Sequence, residues 1–168
     1  FGTTATTASA EIHLVSNAGN INTASLSSAA GLLVVTAGAA ASFNGAVSQT
    51  YTTETFSVTA GTSVKFGSTV SSTGDISVSA NSGSGTITAN ENISASAGKI
   101  TLTGNVILSS DAVFSVNTSG TNTVTITGKL DAFTADAQGL EIDTGTGAIT
   151  LGGAIGETAK LKYLYLNT

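Results

Sequence analysis

A short triplet of hydrophobic, variable and hydrophobic residues recurs eight times along the chain. Successive copies begin 21, 23, 20, 17, 21, 26 and 24 residues apart. Alternation with a period of two is typical of a strand with one buried face. A repeat of this length is typical of solenoid proteins. The copies are Ile12-His13-Leu14, Leu33-Val34-Val35, Phe56-Ser57-Val58, Ile76-Ser77-Val78, Ile93-Ser94-Ala95, Phe114-Ser115-Val116, Leu140-Glu141-Ile142 and Leu164-Tyr165-Leu166.

A second triplet follows the first in six places, and it continues into a small-residue corner and one more hydrophobic residue. The glycines at these corners adopt backbone angles that other residues resist. The pattern therefore predicts at least two strands in each repeat, separated by tight corners. The second triplets are Ala41–Phe43, Val64–Phe66, Ile87–Ala89, Ile100–Leu102, Val124–Ile126 and Ile149–Leu151.

The alternation predicts which side chains face the core. Ile76 and Val78 would point inward, and Ser77 and Ser79 outward. One turn cannot bury its own inner face, but a turn stacked on the last, about 4.8 Å away, closes a continuous apolar column. We therefore predict an all-β, parallel β-solenoid of about eight turns with open ends, spanning residues 1–168 as one segment. The variable turn length leaves two or three strands per turn open.

The predicted core consists of the inward residues of these triplets. The longest departures from the repeat, 119–122 and 133–138, are predicted to be loops bulging from corners. The core residues are Leu14, Leu33, Val35, Phe56, Val58, Ile76, Val78, Ile100, Leu102, Phe114, Val116, Val124, Ile126, Leu140, Ile142, Ile149 and Leu151.

Composition supports this fold and excludes several partners. Charged residues make up 9% of the chain, against about 25% in an ordinary soluble protein. A hydrophobic content of 40% argues against disorder. The net charge of −5, with only five lysines and no arginine, argues against nucleic acid. No apolar run approaches the roughly 20 residues of a membrane helix, so we predict no membrane insertion.

The two ends of the sequence have no capping pattern. The chain opens at Phe1 without an initiator methionine, and it stops at Thr168 just after the last triplet. An uncovered coil end is an unpaired strand edge. We therefore expect a piece of a longer repeat protein or a subunit of a fibre. Its partners would be adjoining repeats of the same chain, or copies associating end to end.

The repeat style resembles that of a known group of bacterial surface proteins. The segments Gly74–Ala80 and Gly98–Val106 resemble the repeats of filamentous haemagglutinin-like proteins. The stretches Ala41–Tyr51 and Ile149–Leu166 look like segments of giant bacterial adhesin repeat proteins. The resemblance implies secretion to the cell surface, a right-handed parallel β-helix, and a structural role in adhesion, biofilm or coats. The resemblance also implies host or matrix glycans as partners. It implies no catalytic residue.

Two outward ladders of hydroxyl groups are predicted from the triplets. A flat threonine array could organise water and bind ice or, more weakly, glycans, although Lys65, Gly67, Asn90 and Gly152 would interrupt it. The simpler interpretation is that threonine favours strands. The serine ladder would comprise Ser57, Ser77, Ser94 and Ser115. The threonine ladder would comprise Thr88, Thr101, Thr103, Thr125, Thr127 and Thr150.

Candidate chemistry is sparse. His13 is the sole histidine and no cysteine exists, whereas a transition-metal site needs several such ligands. Glu141 and Asp143 could hold calcium, but a solvated strand face explains them equally. A carbohydrate-active enzyme would need paired carboxylates in a cleft, and Glu141/Asp143 and Asp75/Asp111 are pairs by sequence only. We therefore expect no enzyme activity and no cofactor.

Overall fold

The computed structural model describes residues 6–8 (backbone only), 11–29, 31–51, 53–116 and 120–168. In these residues the chain is all-β, apart from one 3₁₀ turn at Asn81–Gly83. The strands are β1 (Thr6–Ala8), β2 (Ile12–Ser16), β3 (Ile21–Thr23), β4 (Leu26–Ser28), β5 (Leu33–Ala37), β6 (Ala41–Phe43), β7 (Val47–Gln49), β8 (Phe56–Ala60), β9 (Ser63–Phe66), β10 (Val70–Ser72), β11 (Ile76–Ala80), β12 (Thr86–Ala89), β13 (Ile93–Ala95), β14 (Ile100–Thr103), β15 (Asn105–Leu108), β16 (Ala112–Val116), β17 (Val124–Ile126), β18 (Leu130–Ala132), β19 (Leu140–Asp143), β20 (Ile149–Leu151) and β21 (Leu164–Asn167).

The strands wind into a coil with three strands in each turn. Sheet A has the order β1-β4-β7-β10-β13-β16-β19-β21, sheet B β2-β5-β8-β11-β14-β17-β20, and sheet C β3-β6-β9-β12-β15-β18. Neighbouring strands are parallel, and an isolated bridge from Leu130 to Ile155 continues sheet C. The predicted parallel β-solenoid is confirmed, with three strands per turn. The described chain completes about seven turns, and β21 begins the next.

The predicted alignment of the repeats was wrong in one respect. Of the eight copies of the first triplet, the first four lie on sheet B and the last four lie on sheet A. The 17-residue interval between Ile76 and Ile93 marks the slip, because these residues belong to different faces of the coil. The second set slips in the same way, from sheet C to sheet B after Ile87–Ala89. Counting both kinds of strand as one series produced eight turns instead of seven.

The core is one apolar column that runs through the inside of the coil. All but three of the predicted core residues are buried, including Phe56, Ile76 and Leu140. The exceptions, Leu14, Ile149 and Leu151, are partly buried and pack against the column. They lie in the first and last full turns, where fewer neighbouring turns cover them. The predicted loop 133–138 is confirmed as exposed irregular chain, and the other lies partly outside the described residues.

The column also contains the inward residues of sheet C, which the predicted core omitted. Three phenylalanines meet there. Phe43 and Phe66 stack with ring centroids 5.2 Å apart, and Phe56 meets both of them edge-on at 6.2 and 6.3 Å. Aromatic pairs in these geometries add about 1 kcal/mol beyond the area they bury. The second and third turns are therefore joined by aromatic contacts between sheets B and C.

Side-chain oxygens at the corners bind the backbone of the next turn. Asn20 Oδ1 accepts from Ala40 N at 3.0 Å, and Asn105 Oδ1 accepts from Lys129 N at 3.0 Å. Such N–H groups lie where the strand ladder is interrupted, and an unpaired N–H is costly to bury. Asparagine and aspartate therefore continue the hydrogen bonding between turns across the corners.

Glycines at the corners allow the turns to approach each other closely. A Cβ atom added to Gly61 would lie well inside van der Waals contact of the Gly38 carbonyl oxygen, one turn below. Gly128 stands in the same relation to Gly104. The restriction comes from the backbone of the adjacent turn and not from the glycine's own dihedral angles. Any side chain at these positions would push the turns apart.

The corner geometry predicts the effect of adding one methyl group. Gly61→Ala should lower the free energy of unfolding by about 1–3 kcal/mol, as overpacking in a tight interior does. Gly19→Ala is the matched control, because its added Cβ would meet only the Ser16 hydroxyl, at 3.1 Å. It should change stability by about 0.5 kcal/mol or less. Urea unfolding followed by circular dichroism measures both, and equal stability of the two variants would contradict the close approach.

A short polar column interrupts the inner face of sheet A. Ser28, Gln49 and Ser72 occupy equivalent inward positions on β4, β7 and β10, and all three are buried. The Ser72 hydroxyl donates to Gln49 Oε1 at 2.7 Å, and Gln49 Nε2 donates to the Glu54 carbonyl at 3.2 Å. Ser28 Oγ donates to the Gly31 carbonyl at 3.2 Å. These bonds compensate for burying the polar groups and tie the A–B corner to the sheet.

Removing the buried hydroxyl should therefore cost more than removing an exposed one. Ser72→Ala leaves Gln49 Oε1 without its donor, which should destabilise the fold by about 1–3 kcal/mol. Ser71→Ala is the control, because Ser71 is the exposed neighbour on the same strand and should change stability by about 0.5 kcal/mol or less. Thermal unfolding of the two variants tests this. An unchanged melting temperature for Ser72→Ala would show that the Ser72–Gln49 hydrogen bond does not stabilise the fold.

Candidate functional surfaces

From β8 to β20 the outer face of sheet B carries hydroxyl groups at successive paired positions. Thr101, Thr125 and Thr150 stand in register on β14, β17 and β20, and Ser57 and Ser77 continue this column on β8 and β11. A second column, two residues further along the strands, consists of Thr36, Thr59, Ser79 and Thr103. Thr127 directly follows β17, on the same side.

One member of the predicted threonine ladder lies elsewhere. Thr88 is on sheet C, where it pairs with Lys65 and Ile107 and not with Thr101. Lys65 lies in the sheet C strand β9, and Gly67 and Asn90 directly follow sheet C strands, so the predicted interruptions fall on another face. Only Gly152 follows a sheet B strand. The sheet B array is therefore more regular than the sequence suggested, and it runs uncharged from β8 to β17.

Sheet A carries a serine ladder that sequence reasoning only partly found. Ser77 and Ser94 were predicted to stack, but they lie on different sheets. The predicted serine ladder was therefore wrong at this step. Ser94 and Ser115 do pair, and the column continues from Ser115 to Asp143. The missed signal was a hydrophobic residue followed by serine, recurring once per turn before each sheet B strand. The full serine column is Ser27, Ser48, Ser71, Ser94 and Ser115.

Glu141 and Asp143 lie side by side on the outer face of β19. Glu141 Oε1 accepts from Asn167 Nδ2 at 2.9 Å, and Asp143 Oδ1 accepts from Gly145 N at 3.1 Å. Neither carboxylate makes an ion pair within the described chain. In the same part of the chain, no group of three histidine or acidic side chains is placed to hold a metal ion. The two residues hypothesised to bind calcium thus supply no more than a pair of ligand side chains.

The other carboxylate pair does not come together. Asp75 precedes a strand of sheet B and Asp111 a strand of sheet A, so they occupy different corners. Asp75 approaches Lys99 at 3.8 Å, and Asp111 approaches Lys162 at 3.7 Å. Each also accepts a backbone N–H from the next turn. Both carboxylates therefore stabilise corners in this structure.

His13 and Lys129 each lie close to a glutamate on the surface. His13 is on the outer face of β2, with Nε2 3.4 Å from Glu11 Oε2. Lys129 Nζ lies 2.5 Å from Glu157 Oε2. The hydrogen bond to Glu157, followed by the attraction of its charge, raises the pKa of Lys129 above its usual value. This pair links the sheet C side of adjacent turns.

Two tyrosines form an aromatic surface at the last described strand of sheet A, since Tyr163 directly precedes β21 and Tyr165 lies on it. The rings of Tyr163 and Tyr165 stack with centroids 5.0 Å apart and planes at 23°. Tyr163 lies over Gly139, where any Cβ would overlap the ring, and Lys162 Nζ stands 5.9 Å from the Tyr163 centroid. Tyr165 is paired with Glu141 and remains 59% exposed. Sequence reasoning counted these tyrosines but had no signal that they stack.

No protein family, curated protein or solved structure matches this chain. The described residues contain no helix that is long and apolar enough to cross a membrane.

Proposed function

We propose that this chain is a structural, non-catalytic segment of a bacterial cell-surface or extracellular fibre that serves in adhesion, biofilm or a surface coat. The observation that supports the proposal is the continuity of three parallel ladders through about seven turns. Each strand inside a sheet contributes backbone hydrogen bonds to both neighbours, so bending the rod strains three sheets at once. A stiff spacer of roughly 34 Å results from seven turns at the usual strand separation.

Apolar side chains lie exposed or half-buried beside the edge of β21. Ile155 and Leu166 are 45% and 49% exposed there, and Leu161 and Leu164 are half-buried against the core. An exposed strand edge beside apolar side chains is a template for another parallel strand. We propose that further coils cover this end, either adjoining repeats of the same polypeptide or another copy. The outer faces would then remain available for glycans of a host or matrix.

Immunogold electron microscopy tests this proposal in cells that encode the chain. Antibodies raised against the purified segment should label extracellular filaments or the outer cell surface of unpermeabilised cells. Antibodies preabsorbed with the segment provide the control for specificity. Label that appears only after permeabilisation, and lies in the cell interior, would contradict a surface or extracellular role.

A second candidate function is supported by the sheet B face. Strand spacing of about 4.8 Å and a repeat of about 6.6 Å along each strand place its hydroxyls on a regular two-dimensional lattice. The methyl groups of the threonines in this array add apolar contact beside their own hydroxyls. A rigid, uncharged array of this kind can hold ordered water, so the sheet B face is a candidate ice-binding surface.

Thermal hysteresis measurement separates the two candidates. If the sheet B face binds ice, the chain should depress the freezing point below the melting point, and Thr125→Glu should abolish this by placing a charge in the array. Thr88→Glu is the matched control, because it lies on sheet C beside Lys65 and should leave the activity unchanged. An absence of hysteresis, or equal loss in both variants, would rule out an ice-binding role for sheet B.

A further inference from the structure

We propose that the outer face of sheet A at β19 and β21 binds a glycan that carries free amino groups. The proposal deepens the adhesive role and rests on it. The residues involved are Tyr163, Tyr165, Glu141, Asp143 and Asn167, which we call the tyrosine–carboxylate face. They occupy two adjacent strands whose register places Tyr165 beside Glu141 and Asn167 beside Asp143.

The aromatic part of this face is fixed in place before any ligand arrives. Tyr163 rests on Gly139, and its ring stacks on Tyr165 at 5.0 Å. Lys162 is held by Asp111 at 3.7 Å and stands beside the Tyr163 ring. Tyrosine presents a large rigid surface at little cost in conformational entropy, and its apolar ring and polar tip suit an amphipathic ligand. A sugar ring has such a character, with C–H groups on its faces and hydroxyls at its rim.

The polar part of the face determines the charge of the ligand. Glu141 and Asp143 make no ion pair within the described chain, and Asn167 holds the Glu141 carboxylate in position at 2.9 Å. Carboxylates attract a cation through their charge. The neighbouring aromatic rings attract it through their quadrupole. An ammonium group on a sugar satisfies both requirements, whereas an anionic polysaccharide would be repelled. The complementary ligand is therefore an amino-sugar chain.

The position of the face fits a role on an assembled rod. Tyr163 and Tyr165 alternate with Leu164 and Leu166, which face the core side of the strand. Outward side chains project away from the axis along which turns stack. A further coil added at the edge of β21 would therefore lie beside the tyrosines and not over them.

Isothermal titration of the purified chain with a β-linked glucosamine hexamer tests the proposal. The hexamer should bind, and Tyr165→Ala should weaken it by about fivefold or more. Glu141→Gln combined with Asp143→Asn should have a similar effect. The fully N-acetylated hexamer should bind more weakly than the amine form. Tyr51→Ala is the matched control, since Tyr51 is an exposed tyrosine away from this face.

Three outcomes would overturn the assignment. These are no measurable binding at millimolar hexamer, equal affinity for the acetylated hexamer, or binding that hexalysine reproduces and Tyr165→Ala does not change. Circular dichroism melts of each variant confirm that the fold is intact. Loss of this proposal would leave the fibre role untouched, because surface labelling does not depend on a ligand. Conversely, if the chain bound the glycan but lay inside cells, the proposed binding site would stand and the proposed fibre role would be contradicted.

Discussion

Every feature of this molecule depends on the in-register stacking of one turn on the next at the separation of neighbouring parallel strands. The stacking fixes which residue types are allowed at each position, because each side chain has an equivalent directly above and below it. Inward positions are mostly apolar, and the inward polar residues Gln49 and Ser72 are hydrogen-bonded to each other. Corner positions such as Gly61 must leave room for the carbonyl of the previous turn.

The same constraint produces the regular outer faces of sheets A and B. Because equivalent positions align, one preference for a small hydroxyl residue becomes a column of hydroxyls on sheet A and a double column on sheet B. Several charges lie at corners, where Lys99 meets Asp75 and Lys162 meets Asp111. At the tyrosine–carboxylate face this regular surface is replaced by stacked aromatic rings and by two carboxylates that make no ion pair within the described chain. A rod with repetitive faces and a distinct patch fits the proposed structural role and the proposed contact with a ligand.

The repeated hydrophobic pattern determines how much of this structure could be predicted from the sequence. Alternation within a strand identifies the inward residues of each triplet, so Ile76 and Val78 were placed correctly. The triplets of all three sheets look alike, however, so alternation cannot say which sheet a strand joins. The slip between Ile76 and Ile93 and the misplaced Thr88 both come from this ambiguity. The inward position of Gln49 and the stacking of Tyr163 on Tyr165 depend on contacts between turns, which no local pattern encodes.

The central claim is the register of the sheets, and distances between spin labels test it most directly. The chain has no cysteine, so nitroxides can be attached to His13→Cys paired in turn with Thr101→Cys, Thr125→Cys and Thr150→Cys. These positions lie four, five and six strands along one column of sheet B. Pulsed electron paramagnetic resonance should give distances near 19, 24 and 29 Å, each rising by about one strand spacing. Distances that do not increase stepwise, or broad distributions in all three pairs, would contradict the stacked coil.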